Sequence, residues 1–90
     1  MIKIELGQVV KSTAGRDCGE LFIILDIKEA YVYIADGKRR RIEAPKKKKY
    51  KHIQITYKIA DEIAGKLKHN EKITNADIRN SLKDYQQTLE

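Results

Sequence analysis

The stretch ELFIILDIKEAYVYIADG, residues 20–37, decides the fold of this chain. Its first part, Glu20–Ile27, is apolar almost throughout, and a run of this length suits a strand buried on both faces better than a helix. The run Tyr31–Ala35 has the β-branched and aromatic composition that is typical of strands. Two strands that follow each other closely along the chain are therefore predicted.

An Asp-Gly pair, Asp36-Gly37, directly follows the second run and predicts a hairpin, because both central residues of such a turn need positive φ. The return strand is then predicted over Arg39–Ala44. Pro45 would end it, since proline has no N–H to donate to a ladder. Successive strand residues face opposite ways, so the first and third of the three arginines in this run would share one face.

Further short strands are predicted before and after this stretch of sequence, at Gln8–Ser12 and Ile53–Thr56. Four or five short strands in about fifty residues predict a small closed or half-closed barrel, because closure removes exposed sheet edges. The strand pattern fits both an SH3-like barrel and an OB-fold.

The hydrophobic period changes after the last of these strands. Ile59, Ile63 and Leu67 are spaced four residues apart and predict an amphipathic helix. Thr74–Asp77 resembles a capping box, with Asp in place of Glu or Gln, and predicts a second helix over Ala76–Gln86. The chain is therefore predicted to be an α+β protein.

The composition fits one small folded domain in a reducing compartment. Ninety residues, 41% of them apolar and grouped in blocks, indicate a folded chain with a charged surface. The single cysteine, Cys18, excludes an internal disulfide and fits the cytoplasm. No apolar run approaches ~18 residues, so we expect no membrane partner.

The positive charge is concentrated in one segment, Lys38–His52. It contains nine of the 19 Lys and Arg residues and one of the 13 acids, Glu43, for a net charge of +8. The other 75 residues carry ten basic and twelve acidic side chains, a net charge of −2. A single-signed patch of this kind predicts a polyanionic partner more strongly than a solvated surface, which usually mixes both signs.

The stretch Gly7–Ile24, GQVVKSTAGRDCGELFII, resembles a KOW motif. With the basic run and the Lys51-His52-Ile53 segment, residues 5–56 resemble archaeal- and eukaryotic-type large-subunit ribosomal proteins and short bacterial KOW RNA-binding proteins. The resemblance implies an SH3-like barrel over residues 1–56. The predicted helical extension over residues 57–90 departs from the ribosomal pattern and fits the short bacterial proteins better. The resemblance also implies RNA binding, ribosomal RNA foremost, through the loop after the first strand and the basic edge after the hairpin.

The candidate RNA-binding residues combine that loop with the basic segment. Lysine and arginine neutralise phosphates and release counterions, which makes affinity fall with salt. The four lysines after Pro45 are expected to form a mobile electrostatic arm. The candidates are Lys11, Ser12, Gly15, Arg16, Lys38, Arg39, Arg40, Arg41, Lys46, Lys47, Lys48, Lys49, Tyr50, Lys51 and His52.

Two smaller features leave alternatives open. Arg16 and Asp17 form either an ordinary exposed turn with a local ion pair, or a phosphate contact in which Asp17 fixes the arginine fork. Tyr31 and Tyr33 lie two residues apart and face the same way, which suits either core packing or a stacking platform for bases.

No nucleophile–base pair, paired carboxylates or metal-ligand spacing is visible, so we expect no catalysis, cofactor, metal or small-molecule substrate. The alternative function is a protein-interaction module of the transcription or translation machinery. In that case the helical extension would contact a ribosome or another protein, and the basic segment would be accessory.

Overall fold

The computed structural model describes residues 4–89, and of residues 88 and 89 it describes the backbone alone. Residues 1–3 of the predicted barrel region and residue 90 of the predicted helical extension lie outside this range. The protein has an α+β structure, as predicted. A three-residue 3₁₀ helix spans Tyr50–His52. The strands are β1 (Gln8–Ser12), β2 (Leu21–Lys28), β3 (Tyr31–Ala35), β4 (Lys46–Lys49) and β5 (Ile53–Ile59), and the helices are α1 (Asp61–Lys68) and α2 (Asn75–Leu89). No helix in this range is long and apolar enough to cross a bilayer.

The five strands form one antiparallel sheet in the order β4-β3-β2-β1-β5. Strands β4 and β5 are at opposite ends of this order, yet only the 3₁₀ helix joins them. Four strand spacings of a flat sheet would separate the two edges by roughly 19 Å. The linking chain can span at most about 14 Å. The sheet must therefore curl towards a half-closed barrel.

Each face of the sheet has its own core. One cluster contains Val10, Phe22, Ile24, Val32, Ile34 and Ile53. The other consists of Val9 and Ile23 from the opposite face, packed with Ala60, Ile63, Ile78 and Leu82 from the helical region. Because consecutive residues of β2 are buried on opposite faces, the prediction that this strand is covered on both sides is confirmed for its first half.

The predicted return strand over Arg39–Ala44 is wrong. The Asp36 carboxylate accepts the backbone N–H groups of Lys38 and Arg40, and the N–H groups of Asp36 and Gly37 donate to the Arg40 carbonyl. These bonds close a local turn, so the chain loops outward over residues 36–45 and returns only as β4. Pro45 therefore precedes the return strand, and the arginines do not alternate on a ladder.

The later elements are close to their predicted positions. Strand β5 extends to Ile59, which pairs with Gln8 and is not part of α1, contrary to the predicted helical pattern. The capping box is confirmed, because the Thr74 hydroxyl accepts the N–H of Asp77 and the Asp77 carboxylate accepts the N–H of Thr74. The second helix therefore begins next to its predicted start.

Candidate nucleic-acid interface

A cleft of about 290 Å³ lies between two loops, the β1–β2 loop (residues 13–20) and the β3–β4 loop (residues 36–45). Both loops contribute cations to it, although they are about twenty residues apart in sequence. Its lining residues are Arg16, Asp17, Glu20, Phe22, Asp36, Arg39, Arg40 and Lys46. We call this feature the basic cleft.

The β1–β2 loop is shaped by its own hydrogen bonds. Gly15 and Gly19 adopt φ of 86° and 89°, the left-handed region that glycine enters without steric cost. The N–H of Gly19 donates to the Ser12 carbonyl, and the N–H of Cys18 donates to the Gly15 carbonyl. Together these bonds and the two glycines form a tight turn. It leaves the Arg16 side chain exposed at the rim of the cleft.

Asp17 forms an ion-pair cluster with two lysines of β4. The Lys48 Nζ donates to Asp17 Oδ1 at 2.7 Å and to the Ala14 carbonyl at 2.6 Å. The Ser12 hydroxyl also donates to Asp17 Oδ1, at 2.7 Å. Lys46 Nζ is 3.2 Å from Oδ2, which is buried and accepts no hydrogen bond of good geometry. Asp17 therefore pairs with β4, and not with Arg16 as both alternatives supposed.

The charge state of Asp17 is fixed by this cluster. Burial raises the pKa of its carboxyl group, but the hydrogen bonds from Lys48 and Ser12 and the ammonium of Lys46 outweigh burial and hold the pKa well below its usual range. Asp17 is therefore ionised at neutral pH, and its charge is compensated locally.

The four lysines of β4 are not a mobile arm, contrary to prediction. They pair with β3, with Lys46 opposite Ile34 and Lys48 opposite Val32. Strand alternation therefore places Lys46 and Lys48 on the face towards Asp17. Lys47 and Lys49 lie on the other face, where Lys47 contacts the Tyr31 ring at 4.3 Å. Only Lys46 of the four lines the basic cleft.

Helix α2 anchors the β3–β4 loop. The side chain of Asn75 accepts the N–H of Ile42 at 2.8 Å and donates to the Glu43 carboxylate, which lowers the pKa of Glu43. Arg79 Nη1 donates to the Gly37 carbonyl at 2.7 Å. Sequence reasoning missed Asn75 as an anchor; its position just after the predicted cap was the available signal.

The other predicted site residues are dispersed. Lys38 and Arg41 are exposed on the β3–β4 loop, and Arg41 lies 3.7 Å from Glu43. Lys11 lies beside a separate depression near the end of α2. Ser12 and Lys48 are buried beneath the loop and support it rather than face solvent. The 3₁₀ helix carries the remaining three candidates, Tyr50, Lys51 and His52.

Four of the candidate cations have no acidic partner in the described part of the chain. Within residues 4–89, no carboxylate lies within 4.0 Å of the side chains of Arg16, Lys38, Arg39 or Arg40. In the same part of the chain, His, Cys, Asp and Glu form no group of three that could hold a metal ion. A comparison with models of known protein families finds no match to this chain.

Proposed function

We propose that this protein is a KOW-type RNA-binding protein with an SH3-like barrel, acting in the cytoplasm without catalysis, and that it binds structured RNA, ribosomal RNA foremost. The observation that supports the proposal is the basic cleft. It brings Arg16 of one loop together with Arg39 and Arg40 of another. The resemblance assigns RNA contact to the first of these loops and to the basic edge after the hairpin.

The charge balance of the cleft favours phosphate. Asp17 is compensated by two lysines. The Asp36 carboxylate accepts two backbone N–H groups within its own loop. Glu20 is the remaining acid. Counting Lys48 beneath the cleft, five cations face three carboxylates, and the three exposed arginines are available to RNA. Arginine pairs with phosphate through two parallel hydrogen bonds, which suits contact with a backbone.

This arrangement favours recognition of RNA shape over base sequence. Phosphate contacts fix position and register, whereas sequence is read at base edges. The major groove of an RNA helix is too narrow for side chains to read, so structured RNA is recognised through backbone geometry.

A salt titration of binding to a ribosomal RNA fragment tests the proposal. Measured by fluorescence anisotropy, the log–log plot of affinity against salt should have a slope of several units. The Arg39→Glu/Arg40→Glu variant should bind at least about tenfold more weakly and with a smaller slope. The matched control is Lys58→Glu/Lys72→Glu, which changes the net charge equally at two exposed residues that do not line the cleft.

A gain of affinity provides a second arm of this experiment. Glu20→Gln removes the remaining uncompensated acid of the cleft, so it should tighten RNA binding about two- to threefold. Glu71→Gln, at an exposed residue outside the cleft, should have no such effect. Equal losses in both double variants, or affinity that does not change with salt, would contradict the proposal.

A second candidate function, docking of a partner protein, is favoured by Tyr57. Its side chain is fully exposed on β5, a strand that pairs only with β1 in the described part of the chain. An open edge strand with an exposed aromatic residue suits addition of a partner strand. A partner that co-purifies from nuclease-treated lysate with wild type but not with Tyr57→Ala would support this function.

A further inference from the structure

Two tyrosines of β3 form a second charged and aromatic surface, separate from the basic cleft. Tyr31 and Tyr33 lie on the face of β3 opposite to Val32 and Ile34, which are fully buried. Both rings are half-buried and line an open depression of about 490 Å³. Lys28, Glu29 and Lys47 complete its lining. The helices cover this face of the sheet over β1 and β2 and leave the tyrosines open to solvent.

Lysines lie against both rings. Lys47 Nζ is 4.3 Å from the centre of the Tyr31 ring, and Lys28 Nζ is 5.6 Å from that of Tyr33. Both distances are within the range of cation–π contact. Lys49 is exposed and lies directly opposite Tyr31 in the strand pairing. Aromatic rings and ammonium groups therefore alternate over a short distance.

We propose that this surface, the tyrosine platform, binds an unpaired nucleotide of the RNA. The base stacks on a tyrosine ring and the adjoining phosphate pairs with Lys47 or Lys49. Sites for single-stranded RNA combine aromatic stacking with a positive track for the backbone in this way. This inference rests on the proposed RNA-binding function and adds a ligand class, flexible single-stranded RNA next to a structured element.

Protection of a sheet edge accounts for only part of the surface. Lysines on an edge strand such as β4 discourage pairing with other chains. That role needs neither tyrosine, and it does not require a lysine of β2 to lie over a ring of β3. Binding of a nucleotide uses both features, because the rings stack on the base and the lysines pair with the phosphate.

The test compares three RNAs that share one hairpin. The first is blunt, the second carries a short single-stranded uridine flank, and the third carries the same flank with abasic sugars, which retain the phosphates. Wild type should bind the uridine flank roughly tenfold more tightly than the abasic flank. Tyr31→Leu/Tyr33→Leu should abolish that difference and leave affinity for the blunt hairpin unchanged.

Two controls isolate stacking. Tyr31→Phe/Tyr33→Phe retains both rings and should retain the difference. Tyr57→Leu removes a fully exposed tyrosine elsewhere and should also retain it. As an independent measurement on wild type, 4-thiouridine in the flank should crosslink to the peptide that contains Tyr31 and Tyr33. Crosslinking to other peptides alone would overturn the platform.

The outcomes separate the two proposals. Salt-dependent binding of the blunt hairpin, with no difference between the flanks, would overturn the tyrosine platform and leave the basic cleft standing. Failure of wild type to bind any of the three RNAs would overturn both.

Discussion

At the scale of single residues, Asp17 determines how the basic segment is arranged. Its side chain is 15% exposed, and it binds Lys48, whose side chain is 7% exposed and which lies 31 residues further along the chain. Sequence reasoning offered Arg16 as the partner, because it is the neighbour in sequence. The true partner depends on which β4 residues face the loop, and strand pairing decides that.

Loss of the Asp17 charge should destabilise the protein. Asp17→Asn leaves the buried Lys48 ammonium without its counter-charge, so we expect a loss of about 3 kcal/mol in the free energy of unfolding. Urea unfolding followed by circular dichroism measures this loss. Asp26→Asn is the matched control, because Asp26 is 54% exposed and lies 3.9 Å from Lys28. It should change stability by less than about 0.5 kcal/mol.

The same pair predicts a dependence on pH. The pKa of Asp17 is lower in the folded than in the unfolded state, so the unfolded state binds more protons between the two values and stability falls as pH falls. The unfolded pKa is about 3.9. The stability gap between wild type and Asp17→Asn should be constant from about pH 5 to 7 and shrink below about pH 4. A gap that widens in acid would contradict this assignment.

At the scale of elements, local sequence patterns predicted most of the strands. They did not predict β4, because its sequence has no pattern that is typical of a strand. β1 and β3 have their predicted bounds, because alternation and β-branched content are local properties. β4 consists of four lysines, a residue that is depleted in strands. Its structure comes from pairing with β3 and from Asp17, which are properties of the folded chain.

The start of α2 holds the arginine-bearing loop. Asn75→Ala removes three hydrogen bonds to residues 42 and 43. We expect a loss of about 1–2 kcal/mol in stability, and several-fold weaker RNA binding, because Arg39 and Arg40 lose their fixed position. Calorimetry and RNA anisotropy measure the two effects.

Asn80→Ala, an exposed asparagine of the same helix, is the control and should change neither quantity. Unchanged RNA affinity in Asn75→Ala would show that the loop keeps its place without the Asn75 hydrogen bonds.

At the scale of the whole molecule, the helices complete one of the two cores. Ile63, Ile78 and Leu82 pack with Val9 and Ile23 of the sheet. Helix α1 comes very close to the chain at Gly7, where an added Cβ would lie 2.6 Å from the Cβ of Ala64. Gly7 also has a φ of 80° and accepts the N–H of Ala60. The sheet and α1 therefore meet at a point where only glycine fits.

Two glycine-to-alanine changes should have opposite signs. Gly7→Ala forces α1 away from the sheet and strains the backbone, so we expect a loss of about 2 kcal/mol or more. Gly65→Ala adds a Cβ in open space within α1, so it should stabilise the protein by about 1 kcal/mol. Thermal melts of the two variants measure both. Stabilisation by Gly7→Ala would show that α1 does not pack as described.

The candidate site was predicted in its parts but not in its assembly. Composition located the basic segment, and the motif located the loop that contains Arg16. The sequence could not show that Arg39 and Arg40 face Arg16 while Lys48 is buried, since that depends on hydrogen bonds from helix α2 to the β3–β4 loop and from Lys48 to Asp17. Long-range hydrogen bonds, not local preferences, decide which cations reach solvent.

The composition of β4 has a consequence for how the sheet is aligned. Four identical side chains make neighbouring alignments with β3 equivalent in sequence, so the lysines themselves cannot prevent a slip. The residues that fix the alignment of β4 with β3 lie at the two ends of the strand. Pro45 has no N–H for a ladder, which blocks a shift in one direction. The Tyr50 N–H donates to the Ala30 carbonyl, which fixes the other end. Pro45 and Tyr50 thus determine which lysines face Asp17 and which face the tyrosines.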